Sequence, residues 1–180
     1  GAELDPAMVA LWERTDGPVA AGETDRSWLW GPQANRVTTE PYTYAPLKEN
    51  RRLVAYFDKS RMEINDPNGD RNAPWFVTTG LLAWELVTGN VQVSNDRFEH
   101  HTPATIPIAG DLDDPTAPTY ASFSNLLDNP ALPVGSEIRA VVDLNGRVTQ
   151  DGPGGVTAAY YVPETNHTIA SPFWEFLNRQ

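Results

Sequence analysis

Cysteine is absent from the 180 residues, which removes disulfides, thiol nucleophiles and Cys-ligated metal sites together. Histidine is nearly as scarce: His100, His101 and His167 are the only imidazoles. The first two are adjacent and would point to opposite faces of a strand, and no HExxH spacing occurs. Basic residues are outnumbered, 13 Lys and Arg against 24 Asp and Glu, for a formal net charge of -11. Such a field repels phosphate backbones and anionic lipid, so no nucleic-acid partner is expected. No stretch approaches the roughly 20 apolar residues of a spanning helix, so membrane insertion is not expected either. A GxSxG nucleophile elbow is missing as well.

What is present points to a folded, loop-rich chain. Hydrophobic residues make up 40% and charged residues 21%, a usage that argues against wholesale disorder. Sixteen Pro and thirteen Gly exceed what a helical bundle tolerates, because both weaken helix interiors and favour turns. Asp5-Pro6 followed by Met8, Val9, Leu11 and Trp12 predicts a helix capped by Asp5, ended by Asp16-Gly17-Pro18. Alternation over 52–57 predicts a strand, with 61–64 as a second strand or its continuation. The spacing of Leu81, Leu82, Trp84, Leu86 and Val87 predicts a buried helix stopped by Gly89. Residues 90–135 read as irregular. Strands are expected over 138–142 and 156–162, and Asn145-Gly146 predicts a hairpin with a type I′ turn. Ser171-Pro172-Phe173-Trp174-Glu175-Phe176-Leu177 repeats the grammar of the first helix. The expected fold is therefore α+β: short helices at both ends and mid-chain, packed on small antiparallel sheets and hairpins. One domain over 1–180 is expected, formed from two repeat-like pieces of about 1–90 and 91–180.

The run Val54-Ala55-Tyr56-Phe57-Asp58-Lys59-Ser60-Arg61-Met62-Glu63-Ile64, followed by Val77-Thr78-Thr79-Gly80-Leu81-Leu82-Ala83-Trp84-Glu85-Leu86, resembles a repeat of secreted proteins from Chloroflexi-like bacteria. There a "QYFERARFE" strand leads into a "GLLGxEL" helix. Glu164-Thr165-Asn166-His167-Thr168-Ile169 with Phe173-Trp174-Glu175-Phe176 is similar to the other half, "TGHTLxxxFxxFW", and Trp28-Leu29-Trp30-Gly31-Pro32 to an "FGxPI" turn. In this chain Ala83 and Trp84 stand where a second Gly is usual. These modules resemble the LGFP repeats of bacterial cell-wall proteins. The resemblance implies an extracellular or cell-surface location and a partner such as cell-wall polysaccharide or another surface protein.

Three constellations are candidates for chemistry. Trp28, Trp30, Trp75, Tyr42 and Tyr44 sit in loop-like settings, where exposed ring faces would serve a sugar- or protein-binding surface. Asp58, Lys59, Arg61 and Glu63 concentrate charge beside Tyr56; they read either as a polar ligand site or as an ion-pair ladder that fixes strand register. Asp66, Asn68 and Asp70 alternate as calcium ligands do, but Arg71 and Val77 occupy the positions where an EF-hand needs Gly and a bidentate carboxylate. A looser calcium site completed by Asp111, Asp113 or Asp114 is left open; no other cofactor is expected.

The reading that follows is a non-catalytic extracellular binding or architectural module of a bacterial surface or secreted protein, glycan-associated, with no catalytic residue assigned. One alternative is a small secreted hydrolase of glycans, esters or peptides. It would use Asp58, Glu63 or His167, with Ser122–His167–Asp111 or Glu63–Glu85 as groupings. The other is a self-assembling surface or filament subunit, drawn from the matching end pieces.

Overall fold

Asp5 accepts a hydrogen bond from the Ala7 N–H at 2.8 Å and Pro6 occupies the first turn, so helix α1 runs Pro6–Thr15 as its capping residues dictate. Asp16-Gly17-Pro18 ends it, but Pro18 then sits in the first turn of a short second helix, α2, Gly17–Ala20. The structure is a computed structural model that describes residues 3–43, 50–58, 60–108 and 113–178. The chain divides into two compact units, Gly1–Thr102 and Pro103–Gln180.

In the first unit, strands β1 (Arg36–Pro41), β2 (Arg51–Tyr56) and β3 (Arg61–Ile64) form an antiparallel sheet in sequence order. β2 and β3 are separate strands, in the register Leu53 with Ile64, Val54 with Glu63, Ala55 with Met62 and Tyr56 with Arg61. Side chains alternate across a sheet, so Leu53, Ala55, Met62 and Ile64 share one face while Arg52, Val54, Tyr56, Arg61 and Glu63 share the other. The apolar face meets Met8 of α1, Trp30, Phe57 and Phe76 in the hydrophobic core. Helix α3, Leu82–Thr88, starts later than the apolar spacing implies, because Gly80 holds a left-handed φ of 66°. Gly89, at φ 75°, ends it as expected. The stretch read as irregular contains a hairpin, β4 (Asn90–Gln92) with β5 (Phe98–His100).

In the second unit, a 3-10 turn at Tyr120–Phe123 precedes two hairpins. β6 (Val141–Val142) pairs with β7 (Val148–Thr149) around Asn145-Gly146. Of that dipeptide only Gly146 has positive φ, at 76°, which corrects the type I′ expectation. Asp143 instead caps the loop, accepting the N–H groups of Asn145 and Arg147 at 2.9 Å each. β8 (Ala158–Val162) pairs with β9 (His167–Ala170), and helix α4 (Ser171–Leu177) follows at once. Among the described residues, four short helices and small antiparallel sheets make this an α+β, loop-rich fold.

Candidate functional site

The sheet face opposite the core carries charge, and the fold buries it. Arg52, Arg61, Glu63 and Glu85 are all shut off from solvent, with Arg52 only 1% exposed. Arg61 Nε lies 2.6 Å from Glu63 Oε1, and its Nη1 donates to Glu85 Oε2 at 2.8 Å. Arg52 reaches Glu63 at 3.3 Å, Glu40 at 3.5 Å and Glu85 at 4.0 Å, while its guanidinium stands 5.0 Å over the Tyr42 ring. Tyr56 closes the edge by donating its hydroxyl to Glu40 at 2.5 Å. Burial pushes the Glu63 carboxyl up, against the pull of Arg61 and Arg52, and Glu85 adds to the rise. Gly80 lies directly above: a Cβ there would fall 2.4 Å from Glu63 Oε1. Glu85 also accepts the Gln92 N–H at 3.0 Å, tying α3 to β4. The cluster therefore links strand, helix and hairpin, and its carboxylates are occupied by arginines.

Several aromatic candidates are likewise interior. Trp30 is 3% exposed and Tyr42 is 2% exposed; Trp30 packs on Phe57 at 5.8 Å, and Tyr42 donates to Asn95 at 2.5 Å. Both rings are closed to a ligand. Trp28 stacks on Trp12 at 6.2 Å and is half-buried. Tyr44, Lys59 and Asp111 lie outside the described residues. Asp58 is exposed, but its Oδ1 accepts from Asn35 Nδ2 at 2.7 Å.

The open surface is instead the loop 65–76. Here Asp66 Oδ1 accepts the Asn68 N–H at 3.0 Å and Asp70 Oδ1 accepts the Asn72 N–H at 2.9 Å. Asp70 O accepts from Ala73 N and Ala73 O from Phe76 N, both at 3.0 Å, so the loop is a chain of self-capping turns. Its last residues divide sharply. Phe76 enters the core, whereas Trp75 is 74% exposed, more than any other large hydrophobic residue among those described. Asn65, Asp66, Gly69, Asp70, Ala73, Trp75 and Phe76 line a concavity of about 330 Å³. Asn65 adds a buried Oδ1 that receives no donor among the described residues. The structure thus gathers Trp75, Asp66 and Asp70 from two separate sequence candidates and adds Asn65, which no sequence signal had marked.

Among the described residues no three acidic or imidazole groups converge on one point. The Asp114 carboxylate, in the second unit, accepts the N–H and hydroxyl of Thr116 at 2.8 and 2.6 Å. The other proposed chemical groups are also engaged locally. Ser122 donates its hydroxyl to Leu144 O at 2.6 Å and accepts the Thr119 N–H at 3.0 Å. His167 Nδ1 donates to Thr165 O at 2.6 Å, at the head of β9. Set against protein-family models, curated proteins and solved structures, the chain matches none.

Proposed function

We propose that the chain is a non-catalytic glycan-binding module of a secreted or surface-attached bacterial protein, with its ligand seated on the loop 65–76. The observation that carries this reading is Trp75: a large indole held in solvent at the rim of a largely apolar concavity into which Asn65, Asp66 and Asp70 bring amide and carboxylate groups. An apolar ring face beside hydrogen-bonding groups is what a sugar ring requires, since its C–H face stacks and its hydroxyls donate to Asp and Asn oxygens. The secreted, bacterial setting is supported by the likeness of 54–64 and 77–86 to the LGFP-type repeat. The non-catalytic reading is supported by Glu63 and Glu85, which stand on Arg52 and Arg61 and do not face open space.

Retention on insoluble chitin, cellulose, xylan and peptidoglycan tests the proposal. At least one should hold the protein, and Trp75→Ala should weaken that retention by about 2 kcal/mol, roughly thirty-fold, as removal of an aromatic anchor does. Retention of the parent and the Trp75→Ala variant to the same extent would refute it.

A second reading, self-association, is favoured by the second unit, where Phe173 and Leu177 of α4 are exposed beside the Tyr160–Trp174 stack at 4.1 Å. Sedimentation velocity over a wide concentration range should then show a rising sedimentation coefficient; a constant monomer would exclude it.

A further inference from the structure

A second concavity, of about 280 Å³, adjoins the first and shares Ala73 and Phe76 with it as a common wall. Its chemistry is different. Ala7, Ala10 and Leu11 of α1 give it an apolar side, and its charged lining residues are Arg14 and Arg71. The first concavity holds Asp66 and Asp70 instead. In a chain of net charge -11, two arginines line this one hollow, and Asp5 pairs with only one of them, Arg71.

The two arginines are held differently. Arg71 pairs with Asp5, the α1 cap, and its guanidinium stands 4.8 Å over the Phe76 ring, so one edge is anchored while the group stays about half exposed. The Arg14 side chain, in the last turn of α1, has no ion pair or hydrogen bond among the described residues. A planar guanidinium with free donors, beside a second one that is already oriented, matches a carboxylate better than a neutral hydroxyl.

Resting on the glycan-binding reading above, we infer that the ligand is an acidic glycan. One sugar stacks on Trp75, and a neighbouring sugar places its carboxylate in the Arg14–Arg71 hollow. The shared wall of Ala73 and Phe76 makes the two hollows adjacent subsites along one saccharide chain.

Matched pairs of soluble oligosaccharides test this by calorimetry on the full chain: oligogalacturonate, alginate oligomers and C6-oxidised cello-oligosaccharide, each against its carboxyl-reduced form. For at least one pair the acidic form should bind about five- to ten-fold more tightly. That preference should shrink with added salt and disappear in Arg14→Gln. Trp75→Ala should weaken both forms. Arg14→Lys should recover part of the preference, which a merely structural role for Arg14 would not produce. Equal binding of both members of every pair would overturn the acidic-ligand inference and leave the glycan reading standing. Binding of neither form in any pair would overturn both.

Discussion

A carboxylate without solvent is stable only if donors surround it, and Asp16 shows what that arrangement accomplishes. It is fully buried and accepts the N–H groups of Leu29, Trp30 and Gly31 at 2.8, 2.7 and 3.2 Å, with Arg26 at 3.3 Å. Burial alone would raise its pKa; the three backbone donors and Arg26 outweigh burial and hold it below the ordinary value. A lowered folded value contributes stability that is present above the unfolded pKa of about 3.9 and is lost as pH falls through the folded value. Asp16→Ala should therefore cost about 3–5 kcal/mol in chemical denaturation, because it strands buried N–H groups and Arg26 together. It should also flatten the acid limb of the stability profile. Read as sequence, Asp16 signals only a helix end. Its work on 29–31 is a contact across more than a dozen positions, and no local pattern encodes such a contact. The same limit separates the tryptophans. Trp30 and Trp75 look alike as aromatic residues in loops, and only the sheet that folds beneath Trp30 buries it while leaving Trp75 in water.

At the level of elements, alternation in 52–57 and 61–64 made two strands legible, and Gly89 made a helix end legible, because both signals are local. β1 is hard to recognise in the sequence because Arg36–Pro41 is mostly polar, and only the β-branched run Val37-Thr38-Thr39 marks it. The Asn145-Gly146 hairpin was found, but its turn type depends on Asp143 capping the loop. The charged letters of the repeat-like motif, Arg61, Glu63 and Glu85, are the ones that meet across β3 and α3. They hold elements together. With Arg52 and Glu40 the cluster holds two positive and three negative groups, a net of one negative charge. Glu63→Gln removes that excess and should cost under about 2 kcal/mol. Arg52→Met leaves the carboxylates with one arginine and should cost about 3–5 kcal/mol. Because the Glu63 pKa is raised in the fold, its favourable contribution is complete below the unfolded value of about 4.3 and is lost as pH rises through the folded value. The Glu63→Gln protein should therefore lose less stability than the parent over that range, as urea melts at successive pH values would show.

For the molecule as a whole, the apolar core is unevenly shared. Met8, Trp30, Ala55, Phe57, Met62, Ile64 and Phe76 form one cluster, all in Gly1–Thr102, whereas Ala158 is the buried hydrophobic residue described for Pro103–Gln180. Both concavities proposed as glycan subsites also lie in the first unit. Residues 1–102 produced alone should consequently fold, with a cooperative thermal transition and dispersed amide spectra, and should bind what the whole chain binds. A fragment that stays unfolded would contradict this division of the core. The central claim, that a glycan sits on Trp75, is tested most directly by the six indole N–H signals of the ¹⁵N-labelled protein during titration with a retained oligosaccharide. The account predicts that the Trp75 signal shifts with saturable dependence on ligand while buried Trp30 stays in place. A Trp75 signal unmoved at saturating ligand, with other indoles shifting, would contradict it.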